Sequence, residues 1–218
     1  MGNLVIAIDG PAGAGKSTVA QLAAKKLGYT YIDTGAMYRA VAWKVLQQQA
    51  AVTAERIVAA VKDIEVALHY EAGRTTVTVD GEDVTEAIRT PEVTAIVSQV
   101  ASLGPVREKM VDLQRIMAKR GAVVMDGRDI ATNVLPDADV KIFLTASIEE
   151  RAQRRWKELQ AKGYDIDLEQ LQQEIAARDK ADSERAISPL VQAPEAQLLD
   201  TTGMTIDQVV NSILNACR

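Results

Sequence analysis

The chain has 218 residues, 47% hydrophobic and 25% charged, which suits one soluble α/β unit with a buried core. A formal net charge of −5 argues against a protein-wide basic field for nucleic acid, but leaves room for a local basic cleft that holds a small anion. A single cysteine, Cys217, and a single histidine, His69, argue against disulfide scaffolds, histidine metal sites and Ser-His-Asp triads. The first apolar run is too short for a signal peptide or a membrane span, so the cytoplasm is the expected location.

Residues 4–8, "LVIAI", form an unbroken apolar run and predict a buried parallel strand. A helix is expected over 16–27 with Gly28 as its stop, then a strand over 29–33 and a helix over 36–49. This β-loop-α-β-α opening predicts a parallel sheet. A short helix over 54–61 precedes two alternating stretches, "IEVALHY" and "TTVTVDGEDV", with Asp80-Gly81 as a hairpin turn. They predict a small antiparallel insertion near 63–90, with His69 on its polar side as a surface residue. Helices follow from 91 to 103 and from 105 to 120, the second ended by Gly121. "AVVMD" (122–126), "VKIFL" (140–144) and "QLLD" (197–200) complete five core strands. Capping boxes are expected at "SIEE" (147–150) and "TIDQ" (205–208), opening an arginine-rich helix and the last helix. "KGYDID" (162–167) breaks the first of these, and another helix is expected over 168–181.

The stretch "GPAGAGKST" places Gly10, Pro11, Ala12, Gly13, Ala14, Gly15, Lys16, Ser17 and Thr18 between the first strand and first helix. It fits G-x-x-x-x-G-K-[ST]: glycines let backbone N–H groups surround a phosphate, Lys16 reaches the β- and γ-phosphates, and Ser17 ligates Mg²⁺. The helix N-terminus adds free donors and partial positive charge. A plain glycine-rich turn is the competing reading. A guanine-nucleotide switch fits poorly, because "DKAD" (179–182) precedes "DTTG" (200–203), the reverse of the order a switch needs.

Three further groups point to a kinase with a small acceptor. "DTGAMYR" brings Tyr38 and Arg39 to the carboxyl end of the second strand. "MDGRD" brings Asp126, Arg128 and Asp129 to the same edge, with Asp126 near Mg²⁺ or its waters, Arg128 on phosphate and Asp129 accepting from an amine. Residues 151–185 hold Arg151, Arg154, Arg155, Arg178 and Arg185 among eight basic and eight acidic residues. They form either a salt-bridged helical face or a set of arginines closing over a transferring phosphoryl group. A phosphomonoester acceptor needs no base, because its second pKa is near ~6.

These segments, with "SQVASLGPVRE", "ERAQRRW" and "RDKADSER", resemble the bacterial cytidylate (CMP) kinases, a family of P-loop nucleoside monophosphate kinases, over nearly the whole chain. The resemblance implies ATP and Mg²⁺ as donor and cofactor, CMP or dCMP as acceptor, and no nucleic acid or membrane partner. A monomer is the default expectation. By motif, Ser98, Arg107 and Asp129 would read cytosine, and Arg39, Arg128 and Arg185 would hold the CMP phosphate. Arg178 and Asp182 would reach the ribose or phosphates, Tyr38 and Thr34 would line the acceptor pocket, and Arg154 would sit in the lid near ATP. Lys16, Arg128, Arg178 and Arg185 are the expected catalytic cations. Some family members carry Ser at the position of Thr34 and Gly at that of Ser17. The expected architecture is a doubly wound P-loop kinase with a five-stranded parallel sheet. Its core would span 1–35, 92–145 and 190–218, its monophosphate-binding region 36–91 with the small β insertion, and its helical lid about 146–185. A P-loop kinase for UMP or shikimate, and a non-catalytic nucleotide-binding module, remain the alternatives.

Overall fold

The computed structural model describes residues 2–48 and 51–217. Strand β1 (Val5–Asp9) lies at the centre of a five-stranded sheet of order β2-β6-β1-β7-β8. The other members are β2 (Thr30–Asp33), β6 (Val123–Gly127), β7 (Val140–Thr145) and β8 (Gln197–Asp200), and every pairing is parallel. The central position explains the run of four buried residues after Val5.

Helices cover both faces. Helix α1 (Lys16–Leu27) and helix α8 (Ile206–Ala216) pack on one side with Ile6, Ile8, Val124, Ile142 and Leu144. On the other side, Val111 and Ala118 of helix α5 (Gly104–Ala118) pack with Ala7, Ile32, Val123 and Met125. The chain leaves β1 through α1 and returns at β2, beyond β6, whereas β7 lies on the opposite side of β1. The carboxyl ends of these strands therefore open a crevice at a topological switch point.

The expected helix over 36–49 begins two residues early, as α2 (Thr34–Gln47), because the Asp33 side chain accepts from Ala36 N at 2.9 Å and caps it. Gln49, the last residue of that expected helix, lies outside the described residues. Helix α3 (Ala54–Asp63) leads into the antiparallel strands β3 (Val66–Glu71), β4 (Arg74–Val79) and β5 (Glu82–Asp83). Asp80-Gly81 forms the expected hairpin turn. A second turn at Ala72-Gly73, with φ of 51° and 78°, escaped the sequence reading because alanine rarely enters the left-handed region. His69 is exposed. Val66, Val77 and Val79 join Met37, Val41, Ile57 and Val61 in a core beneath this sheet.

Helix α4 (Pro91–Ser102) packs on α2, and the hairpin tip is tied to α1, where Gln21 Nε2 donates to Gly73 O at 2.9 Å. Helices α6 (Ile148–Ala161) and α7 (Leu168–Glu184) form a pair around Ala152, Leu159, Leu171 and Ile175. Helix α7 continues past 181 to Glu184. The capping box at 205–208 is complete, but the one at 147–150 is half made. Ser147 caps Glu150 N, whereas the Glu150 side chain accepts from Arg154 Nε at 3.0 Å instead of turning back. Among the described residues no helix is long and apolar enough to cross a membrane.

Gly10 shows how closely the loop after β1 meets β7. Its φ is +148°, and a Cβ there would lie 1.9 Å from Leu144 O. Gly10→Ala is expected to destabilise the protein by about 3 kcal/mol, read as a lowered urea midpoint at unchanged m-value.

Candidate active site

The residues after β1 wrap into a loop whose glycines Gly13 and Gly15 adopt φ of 74° and 87°. No side chain caps α1 at Gly15, which leaves its first N–H groups facing outward as donors. Lys16 Nζ folds back on Pro11 O at 2.8 Å. Burial, reinforced by Arg128, holds the Lys16 ammonium well below its ordinary value. Ser17 Oγ donates to Asp126 Oδ2 at 3.0 Å, and Tyr31 OH donates to the other oxygen at 2.7 Å. Asp126 sits beside Asp33 in the β2–β6 register. Burial and then the Asp33 charge raise its carboxyl.

The loop forms one wall of a cleft of about 1310 Å³. Arg39 from α2, Arg89, Ser98 from α4, Arg128 after β6, and Arg154, Arg155 and Arg178 from α6 and α7 also line it. These cations crowd one another. Burial, then Arg178 and Arg155, lower Arg39 to about 9, and burial, then Arg128, lower Arg178 to about 10. A polyanion in this cleft would relieve that strain, the arrangement expected where phosphates are held.

A second, closed network lies beside the cleft. Asp129 is 4% exposed and accepts from Arg107, from Asn133 Nδ2 at 3.0 Å and from Arg185 Nη2 at 3.4 Å. Arg107 also stacks over the Tyr38 ring at 5.6 Å. Burial pushes the Tyr38 hydroxyl up to about 12. Asp182 accepts from Arg128 Nε at 2.9 Å and from Ser98 Oγ at 3.4 Å. Burial pushes its carboxyl up, but Arg128 and Arg178 outweigh burial and hold it below the usual range.

The sequence profile described as "Cytidylate kinase" matches residues 6–218. The chain belongs to the cytidylate kinase family. The "Cytidylate kinase" of Desulfitobacterium hafniense (strain Y51) is 56% identical over 214 residues, covering 98% of this chain and 92% of that one. The "Cytidylate kinase" of Bacillus cereus (strain ATCC 10987 / NRS 248) is 54% identical over 211 residues, covering 96% and 94%. The solved structure of an uncharacterized protein from Eubacterium ventriosum ATCC 27560 shares the fold alone, with a TM-score of 0.53 at 9% identity over 98% and 97% of the two chains.

Within this cytidylate kinase fold, the structure gathers the residues singled out by sequence into two layers. Ala12 through Thr18, Arg39, Ser98, Asp126, Arg128, Arg154 and Arg178 line the cleft. Tyr38, Arg107, Asp129, Asp182 and Arg185 are not part of that lining and are tied into the network beside it. Thr34 is buried and donates to Asp126 O at 2.7 Å. Gly10 and Pro11 shape the loop from beneath, through Leu144 and Lys16.

The two arginines of α6 left open by sequence part ways. Arg151 is buried against Asp179 at 2.7 Å and the carbonyls of Ala12 and Ala146 at 2.9 Å, so it ties α6 to α7 and to the loop after β1. Arg155 lines the cleft and pairs with Glu158 at 2.9 Å. Arg154 reaches Thr201 through both its Oγ1 and its carbonyl, at 3.1 and 2.8 Å.

Sequence reasoning missed Asp9, Tyr31, Asp33, Arg89 and Thr94. Arg89 Nη2 pairs with Asp33 Oδ2 at 3.2 Å, and Thr94 Oγ1 accepts from Arg39 Nη1 at 2.7 Å. The aspartates at the ends of β1 and β2 were the available signal, since a carboxylate closing an apolar strand needs a local partner.

Proposed function

We propose that this chain transfers the γ-phosphoryl group of ATP to CMP or dCMP, giving ADP and CDP or dCDP by direct in-line displacement. One observation carries the reading: the phosphate loop, Arg39 of α2, Arg128 just after β6 and Arg178 of α7 open onto a single cleft, with Asp129 one residue beyond Arg128.

An acceptor phosphate oxygen, ionised above its second pKa of about 6, attacks the γ-phosphorus as the bond to the β–γ bridging oxygen breaks. The phosphate-loop amides and Lys16 hold the donor phosphates. Arg39, Arg128 and Arg185 hold the acceptor phosphate, and Arg178 neutralises charge on the moving group. Asp182 and Arg178 reach the ribose or the phosphates. Asp129 accepts from the exocyclic amine of cytosine, where uracil would set oxygen against carboxylate, and Ser98 and Arg107 complete the reading of the base. Thr34 and Tyr38 line the acceptor pocket, and Arg154 meets ATP from the lid.

The hydroxyl of Ser17 beside the Asp126 carboxylate is a hard-oxygen pair suited to Mg²⁺ that keeps waters and substrate phosphates as its other ligands. No group of three or more His, Cys, Asp or Glu side chains placed to hold a metal occurs among the described residues. When bound, Mg²⁺ supplies charge neutralisation on the transferring phosphates. We place the protein in the cytoplasm as a monomer.

The test is ADP release with Mg²⁺-ATP against CMP, dCMP, UMP, AMP, GMP and shikimate. Turnover confined to CMP and dCMP, abolished by EDTA, is the expected result. Preference for UMP or shikimate, or tight ATP binding with no turnover, would overturn it. A chiral γ-phosphate should emerge inverted, and retention would exclude direct transfer.

A further inference from the structure

Asp9 ends β1 and stands directly before Gly10 of the phosphate loop. It is 2% exposed. Among the described residues its carboxylate makes no hydrogen bond to a phosphate-loop donor. Instead Oδ1 accepts from Ile130 N and Oδ2 from Ala131 N, both at 2.8 Å. These two residues follow Asp129 and open the wide turn Ile130–Val134. The Asp129 carbonyl closes that turn by accepting from Asn133 N at 2.9 Å and Val134 N at 3.1 Å.

The first N–H groups of any helical turn lack partners within it. Here a buried carboxylate on another strand takes both. Two bonds to two successive amides fix the position of the turn and also its rotation, which one bond cannot do. The residue at the head of that turn is Asp129, whose side chain is separately held by Arg107, Asn133 and Arg185. Asp129 is therefore aimed from both ends: its carboxylate by three side chains, its backbone by Asp9.

We infer that Asp9 is a positioning residue that sets selectivity for cytosine through the turn carrying Asp129. This rests on Asp129 as the base reader. An asparagine at position 9 has one acceptor oxygen, and its amide nitrogen would face the second N–H. The turn would rotate to relieve that clash, and a displacement of about 1 Å at a positioned group costs about 100-fold.

The experiment compares kcat/KM for CMP and for UMP, and KM for ATP, in the wild type, Asp9→Asn and Asp129→Ala. For Asp9→Asn the CMP-over-UMP ratio is expected to fall by about tenfold or more, while any change in KM for ATP, which follows from the Asp9 charge facing Lys16, falls on both acceptors alike. A purely structural Asp9 would lower the urea midpoint and leave the ratio of the folded variant unchanged, which would overturn the inference. If Asp129→Ala keeps the ratio, the base-reader assignment itself fails. If Asp129→Ala loses the ratio and Asp9→Asn keeps it, only the positioning role fails.

Should Asp9→Asn not fold, the wild type alone decides. Burial raises the Asp9 carboxyl to about 6, against the pull of the Ala131 and Ile130 amides, with Asp129 and Lys16 as the charged groups facing it. Protonation turns one acceptor oxygen into a donor, so the CMP-over-UMP ratio is expected to drop between pH 7 and pH 5. Taking the ratio cancels the ionisation near ~6 that both acceptor phosphates share, and that of Asp126 on the neighbouring strand, whose carboxyl is also raised to about 6 and which acts on the donor side for both acceptors. A ratio flat across that range would overturn the inference.

Discussion

Exchanging Lys16 for methionine is expected to lower kcat about 10²–10³-fold, the loss typical of one preorganised donor aimed at developing charge. The same exchange is expected to leave the empty protein no less stable at pH 7. Lys16 is 5% exposed, and among the described residues the one acceptor of its ammonium is Pro11 O. Its charged form is disfavoured in the fold by burial and by Arg128. Methionine keeps the length and removes that charge. The pH dependence has a fixed sign. The folded value lies below 10.5, so the unfolded chain binds more protons in the window between neutrality and 10.5. The lysine's penalty is complete below that window and is relieved as pH rises through it. Urea midpoints at pH 7 and 9.5 should therefore show the wild type gaining on Lys16→Met as pH increases. A gap that moves the other way would contradict the buried, disfavoured ammonium.

Asp129→Ala is expected to damage stability and selectivity together. Its removal leaves Arg107 and Arg185, with side chains 4% and 6% exposed, facing each other without their shared carboxylate. Breaking one partner out of a buried ion pair costs about 3–5 kcal/mol. kcat/KM for CMP should fall about 10²–10³-fold, and that for UMP far less. Asp129→Asn separates the two effects. Its amide fills the same space, so stability should partly return, while its NH₂ group can now donate to the uracil oxygen. Steady-state kinetics with CMP and UMP, alongside chemical denaturation, reads both. A CMP preference that survives Asp129→Asn would remove Asp129 as the base reader.

The parts of this molecule that sequence revealed are those whose causes are local. Five strands, the phosphate loop and the Asp80-Gly81 turn each follow from residues within a few positions of one another. The start of α2 at Thr34 was missed because its cap, Asp33, reads first as the end of a strand. The wide turn after Asp129 was missed for a different reason. Its two leading amides are satisfied by Asp9, 121 residues earlier, and no local pattern in "DIATNV" announces that partner. The Asp33–Arg89 pair is separated by 56 residues, and it closes one side of the cleft. The role of the β insertion was likewise illegible. Only in three dimensions does Tyr70 of β3 meet the Tyr31 ring edge-on at 6.0 Å, bringing the hairpin against the residue that bonds Asp126. The resemblance carried site residues by motif, but their division into a cleft lining and a closed network is a matter of packing.

That division bears on how the empty enzyme should respond to its medium. Arg128 and Arg185, two of the three arginines assigned to the acceptor phosphate, each already sit against a carboxylate at rest. An arriving dianion trades places with those carboxylates more than it neutralises bare charge. Fewer loosely held counterions are then set free on binding, and the exchange takes place where mobile ions have little access. Ionic strength should accordingly weigh less on affinity for CMP than the number of arginines in the chain would lead one to expect.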